Sequence, residues 1–355
     1  MEAEHNCATH KGKMRYGRLA AAAGGVLLLL LLPLVIESPY YMHLLIMSGI
    51  NAMLAMTFIL MLRSGLISLA IAAFVGMGAY ASTLLVMRLD LSFWLALPAS
   101  AVIVGIIGLC VGYLFVRNAG FGFIMLSAVL GMLIVVLFGN IKFLGGYQGL
   151  EGIAPPDPIT IPFITTIEFG SKAPYYYLML FLLAVVVLVL SVFYHAWTGR
   201  AWMAIGLNPR LAESIGVNIF RYRLWSFVIA SAIAGLVGSF YAHYIGAVIP
   251  NSFDVFKTIY VHIFAILGGV DFAILGPIVG AVVMTFVPEF LRITKEIEPI
   301  VTGLLVILII LFLPNGLLSL VGLRGTSTHL GEKVARIRQK IGRSLRLDDR
   351  HAGRD

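Results

Sequence analysis

Residues 259–291 read IYVHIFAILGGVDFAILGPIVGAVVMTFVPEFL, an apolar run interrupted at Leu267-Gly268-Gly269-Val270-Asp271 and again at Gly276-Pro277. A helix crossing a bilayer core of about 30 Å needs about 20 apolar residues, so this run is too long for one straight span. Paired glycines followed by an aspartate interrupt a helix, and a broken helix is tolerated at membrane depth where protein encloses the freed backbone groups. The fold turns on whether the chain crosses here or returns.

The remaining runs decide that question. They fall near Gly17–Ile36, Met42–Leu62, Leu66–Met87, Leu91–Val116, Phe121–Gly139, Tyr175–Trp197, Leu224–Ile249 and Ile300–Leu323. With 60% hydrophobic and 12% charged residues in 355, and a mean hydropathy of +0.98, the chain has too few charges to cover a water-facing surface. A soluble enzyme is excluded. The first run ends in Ile36-Glu37-Ser38-Pro39 rather than a small-residue cleavage site, so it reads as a retained helix. Cys7 and Cys110 are too few for a disulfide framework or a thiolate metal site.

Lys and Arg in short loops resist translocation and hold their loop in the cytoplasm. With the N-terminus inside, only Arg88, Lys142, Lys172, Lys257, Arg292 and Lys295 fall outside, among 25 Lys and Arg in all. The tail carries Arg324, Lys333, Arg336, Arg338, Lys340, Arg343, Arg346, Arg350 and Arg354 and belongs inside. Single crossings by every run would leave that tail outside. The segment 259–291 is therefore expected to enter and leave by the same face. The fold class is an all-α polytopic membrane protein with about eight transmembrane helices plus a broken or re-entrant segment near 259–291.

The organisation that follows is a cytoplasmic N-terminal segment 1–16, a membrane domain 17–323 and a basic cytoplasmic tail 324–355. An inner loop 198–223 and an outer loop 140–174 are the longest connections. In the tail, Val334, Ile337, Ile341 and Leu345 alternate with the basic residues as an amphipathic helix suited to anionic lipid. The formal charge of +8 needs no nucleic acid.

Within the inner loop, Asn208-Pro209 starts a short helix and Gly216 ends it, giving Pro209–Ile215 as a helix lying along the membrane. It is either a docking knob or an ordinary loop with a little secondary structure. Polar residues inside apolar runs are the other candidates. Asn51 and Ser68 either line a path or hydrogen-bond between helices; Asp271 either shares a cavity with His262 or caps the segment after it. Gly268-Gly269 either exposes backbone to a polar solute or packs. Gly76, Gly78, Gly105, Gly108, Gly112, Gly235 and Gly238 read as close helix contacts. No convergent nucleophile or metal-ligand set supports a membrane-embedded enzyme.

At the inner loop the chain resembles a known family. Gly199-Arg200-Ala201, Ala204-Ile205, Ala212-Glu213-Ser214-Ile215-Gly216-Val217-Asn218 and Arg221-Tyr222 are similar to the coupling loop of the M-type (LivM-like) permeases of leucine/isoleucine/valine ABC importers. Gly65-Leu66-Ile67-Ser68-Leu69 with Gly76-Met77-Gly78-Ala79-Tyr80 resembles a first membrane signature. Gly145-Gly146 with Gly149-Leu150 resembles an outer Gly-rich turn, Leu267-Gly268-Gly269 with Gly276-Pro277 a second signature, and Leu311-Phe312-Leu313-Pro314 the end. The chain departs from the pattern at Ala70-Ile71, Asn208-Pro209, Val270-Asp271-Phe272 and Asn315.

The resemblance implies a multi-pass subunit of the bacterial inner (cytoplasmic) membrane, both termini cytoplasmic. It implies partners: a homologous second permease, two cytoplasmic ABC ATPase subunits and a periplasmic or surface solute-binding protein. Together they would import branched-chain amino acids or related small solutes. ATP and Mg would be bound by the partners, since this chain has no phosphate-binding Gly-x-x-x-x-Gly-Lys-Ser/Thr loop. The residues implied in ATPase coupling are Arg200, Pro209, Arg210, Ala212, Glu213, Ser214 and Gly216. Those offered for the translocation path are Asn51, Ser68, Gly145, Gly146, His262, Gly268, Gly269 and Asp271. A stand-alone ion-coupled carrier or channel using Asp271 and His262 is the alternative.

Overall fold

In the computed structural model, 6 helices among the described residues are long and apolar enough to cross a membrane. The structure describes residues 29–33, 38–118, 120–161, 165–167, 169–290 and 316–321, with a few helical residues between 303 and 311. Helices α1 (Pro39–Arg63), α2 (Ile71–Leu89), α3 (Phe93–Phe115), α4 (Phe121–Asn140) and α5 (Lys172–His195) are followed by two short ones, α6 (Trp197–Leu207) and α7 (Pro209–Ser214). The long α8 (Ile219–Ile245) and the pair α9 (Val255–Gly268) and α10 (Leu275–Phe290) complete the described bundle.

Small residues set the packing. Without water to drive apolar association in a bilayer, helices gain by close backbone approach. Gly78 on α2 stands against the backbone of Gly235 on α8, and Gly238 against the carbonyl of Val75. On α3, Gly105, Gly108 and Gly112 face Ala232, Ser231 and Phe227 of α8. Helix α8 is thereby clasped between α2 and α3, while α1 is enclosed by α8, α10 and α5. Helix α4 is the least enclosed and turns most of its apolar surface outward.

The break in 259–291 falls at the double glycine. Helix α9 ends at Gly268, Gly269 takes a φ of +114°, and α10 begins at Leu275. The two arms cross so closely that a Cβ on Gly268 would strike the Gly276 carbonyl and one on Gly280 the Phe264 carbonyl. At the tip, the Asp271 carbonyl accepts from Arg63 Nη2 at 3.2 Å, at one end of α1. At the other end of α1, the Tyr40 hydroxyl bonds the Glu289 carboxylate near the end of α10. Among the described residues, α10 thus runs alongside α1 from its Arg63 end to its Tyr40 end. Gly316 packs on Gly269 at the same tip.

Three expectations change. The run Leu66–Met87 is not one helix: residues 64–70 are non-helical and α2 starts only at Ile71. The inner loop 198–223 is mostly helical, since α6, α7 and the first turn of α8 occupy it. The outer segment 140–174 is tied down by short strands, β1 (Leu150–Glu151) pairing antiparallel with β4 (Ala247–Val248), and β2 (Ile159–Ile161) with β3 (Thr165–Ile167). Segment 1–16, most of Gly17–Ile36, Arg292–Glu298, most of Ile300–Leu323 and the tail 324–355 lie outside the described residues.

Candidate functional site

At the Arg63 end of the bundle, a knob projects. Asn208 caps α7 by accepting from the Leu211 amide at 3.2 Å, Pro209 opens the helix without needing a donor, and Gly216 turns the chain back with φ +87°. Ala212 is buried and anchors the knob. Arg210, Glu213, Ser214 and Gly216 are exposed, and so are Leu207, Leu211 and Ile215, at 53%, 63% and 71%. These three apolar side chains recur at four-residue spacing.

The knob stands on a braced base. Ile205 and Trp202 of α6 are buried, and Trp202 Nε1 donates to the Tyr222 carbonyl in the first turn of α8 at 2.8 Å. Gly206 lies against the Arg63 carbonyl. Arg200 is exposed, its guanidinium 4.9 Å over the ring of Trp197.

Deeper in the bundle lies the interruption at 64–70. Non-helical backbone at this depth must find its partners within the protein. The Leu69 amide donates to Ser127 Oγ of α4 at 2.9 Å, the Ala70 amide to Ser68 Oγ at 3.3 Å, and the Ala72 amide to Thr258 Oγ1 of α9 at 3.0 Å. Thr258 precedes the hairpin tip by about three turns, or roughly 15 Å of helix, so α2 begins well inside the bundle. His262 joins the same cluster. Its Nδ1–H donates to the Thr258 carbonyl at 2.6 Å, and its ring meets Phe58 edge-on at 4.0 Å. The Ser68 backbone lies close to the imidazole, yet among the described residues no group meets the buried Nε2 in hydrogen-bond geometry. Because Nδ1 carries the proton, Nε2 of the neutral ring presents an acceptor lone pair.

The sequence candidates therefore separate. Ser68 and His262 come together in this cluster. Asn51 sits elsewhere along α1, its amide donating to Thr285 Oγ1 of α10 at 3.2 Å. Asp271 is at the hairpin tip, three residues past the end of α9, where its carbonyl accepts from Arg63 Nη2. Gly268 and Gly269 are filled by α10 and by Gly316. Gly145 and Gly146 lie at the opposite end, where Gly145 packs on the Gly149 carbonyl and Gly149 on Val248.

Sequence reading missed a second polar chain, buried between α2 and α8. Ser239 Oγ donates to Ser82 Oγ at 2.7 Å, Ser82 bonds His243 Nε2 at 3.1 Å, and His243 Nδ1–H donates to the Ala154 carbonyl at 2.9 Å. The carbonyl can only accept, so the chain runs in one direction and His243 is the neutral Nδ1–H tautomer. Its spacing (Ser239 and His243, four apart on α8) was the available signal. Arg63 and Arg223 were also missed as anything beyond markers of orientation.

An apolar bundle of membrane-length helices with a broken hairpin defines a polytopic helical membrane protein. Residues 40–313 match the family described as branched-chain amino acid transport system / permease component, and the chain belongs to that family. It is similar to the high-affinity branched-chain amino acid transport system permease protein LivM of Escherichia coli (strain K12), 28% identical over 275 residues. The LivM of Salmonella typhimurium (strain LT2) is 28% identical over the same length. Each alignment covers 72% of this chain and 64% of the relative, so the chain spans just under two thirds of the curated proteins it matches. No solved structure matches the chain.

Proposed function

We propose that this chain is a permease subunit of an ATP-driven importer, carrying branched-chain amino acids or related small solutes across the inner membrane. The observation that carries the reading is the exposed α6–α7 knob at an end of the bundle that also holds Arg63, Arg117, Arg200, Arg210, Arg221 and Arg223. By the retention of Lys and Arg, that end faces the cytoplasm, with both termini on the same side. Arg200, Pro209, Arg210, Ala212, Glu213, Ser214 and Gly216 form the element that couples to a cytoplasmic ATPase subunit. Two such subunits, each binding ATP and Mg, a second homologous permease and a solute-binding protein complete the machine. ATP binding by the partners would rock the permease between outward- and inward-open states through this knob. We assign Ser68 and His262 to the solute route because they come together at the interrupted segment, where His262 Nε2 has no partner among the described residues.

The test is to purify the chain with its ATPase and second permease and to measure ATP-dependent uptake of leucine in proteoliposomes. Glu213→Arg, and deletion of 208–216, are expected to abolish ATPase association and uptake while the bundle stays folded. Uptake and association that survive both changes would sink the coupling assignment.

A further inference from the structure

We propose that Arg63 and Arg223 are positioning residues that carry displacement of the α6–α7 knob into the interrupted segment 64–70 and the hairpin tip. The proposal rests on the reading of the knob as the ATPase-docking element.

Both arginines count toward orientation in the sequence, but neither behaves as a solvated topology marker. Each is half-buried and holds a backbone carbonyl. Arg223, on the first turn of α8, donates from Nε to the Ser64 carbonyl at 3.0 Å, and its Nη2 lies 3.1 Å from where a Cβ on Gly65 would stand. One turn further on, Ser226 Oγ and Ser64 Oγ are 2.7 Å apart. Arg63 reaches the Asp271 carbonyl at the hairpin tip, and its guanidinium lies 4.9 Å over the Tyr194 ring at the end of α5. Its own carbonyl is the surface on which Gly206 of α6 rests.

These contacts make one continuous linkage. The knob is fixed to the first turn of α8 by Trp202 and Tyr222, that turn holds Ser64 through Arg223, and Ser64 begins the segment that ends at Ser68 beside His262. In parallel, α6 bears on Arg63, which holds the tip at Asp271. The segment 64–70 is turn and irregular backbone rather than helix, with Gly65 at φ +75°, so it can shift without breaking a helical ladder. A guanidinium bonded to carbonyls constrains the backbone itself, and its planar fork is what a lysine cannot reproduce.

The experiment uses the complete importer in proteoliposomes and reads ATP hydrolysis and leucine uptake together, for wild type, Arg63→Lys and Arg223→Lys. Arg88→Lys, at the opposite end of the bundle, is the control. Lysine keeps the charge and the half-buried alkyl stem, so both variants are expected to assemble with the ATPase as wild type does. Leucine moved per ATP hydrolysed should fall by about tenfold in each, the worth of one charge-assisted hydrogen bond, while hydrolysis persists. Arg88→Lys should leave the ratio unchanged. An unchanged ratio in both arginine variants, or parallel loss of hydrolysis and uptake, overturns the proposal. If Arg63→Lys fails to assemble, the ratio in Arg223→Lys alone decides. Wild-type chain that takes up leucine without an ATPase would refute the importer reading itself, a result separable from any variant ratio.

Discussion

Gly78→Ala and Gly238→Ala test the close approach of α2 and α8 on which the bundle depends. An added Cβ at position 78 would stand 2.2 Å from the Gly235 carbonyl oxygen and 2.5 Å from its Cα; at position 238 it would stand 2.0 Å from the Val75 carbonyl. Ordinary contact begins at 3.4 Å, so the helices must part by about 1.2 to 1.4 Å, because backbone cannot swing aside as a side chain can. A gap of about 1 Å forfeits up to half of each dispersion contact it opens, and overpacking of this kind costs about 1–3 kcal/mol. Alanine returns about 1 kcal/mol of helix propensity, leaving a net loss of up to about 2 kcal/mol. At Gly122 on α4 the same substitution meets only Asn118 Cβ at 3.7 Å. There the propensity term stands alone, and the change should stabilise by up to about 1 kcal/mol. Equilibrium unfolding in mixed micelles with increasing SDS measures all three. If Gly78→Ala and Gly238→Ala move the midpoint in the same direction as Gly122→Ala, the two helices are not held at backbone contact.

Other expectations follow from the buried polar groups and the two faces. Thr258→Val strips the acceptor from the Ala72 amide and should destabilise the protein by about 1–3 kcal/mol, whereas Thr258→Ser should cost about 1 kcal/mol or less in the same SDS titration. His243→Leu leaves the Ser82–Ser239 pair and the Ala154 carbonyl without their link, and should loosen the outer segment; faster amide hydrogen exchange at 152–157 than at 208–216 is the readout. In a background lacking Cys7 and Cys110, Ser214→Cys and Tyr147→Cys should react with an impermeant maleimide from opposite sides of sealed vesicles. Labelling of both from one side would overturn the orientation.

How much of this was legible beforehand depends on whether the partner of each group lies nearby in sequence. The short helix at Pro209 announces itself in Asn208, Pro209 and Gly216, all local. The hairpin was found by counting charges, because the requirement that the basic tail lie inside forces one run to fold back and the double glycine at 268–269 shows where. The gap between Leu62 and Leu66 was legible, but its extension through 66–70 was invisible by either route. Leu66-Ile67-Ser68-Leu69-Ala70 is apolar enough to pass for helix, and the groups that meet the Leu69 amide and the first-turn Ala72 amide lie 58 and 186 positions away, on Ser127 and Thr258. Hydropathy measures whether a residue tolerates lipid, not whether its backbone is bonded within its own segment.

The two interruptions share one end of the molecule, and this gives them a common logic. A continuous helix is stiff along its axis, so a push on its end displaces the whole rod; a helix interrupted partway lets one half move while the other stays packed. Here the lower part of the α1–α2 connection is released from helix, and the hairpin tip is a turn rather than a rod. Both face the α6–α7 knob across Arg63 and Arg223. The upper part of α2, by contrast, is locked to α8 at Gly78 and Gly238, where no slack exists. Motion entering at the knob therefore has two compliant routes, toward Ser68 and toward Asp271, and one rigid stop. A variant that loosens the stop, such as Gly78→Ala, should reduce coupling as well as stability, because displacement would then be spent on sliding α2 past α8.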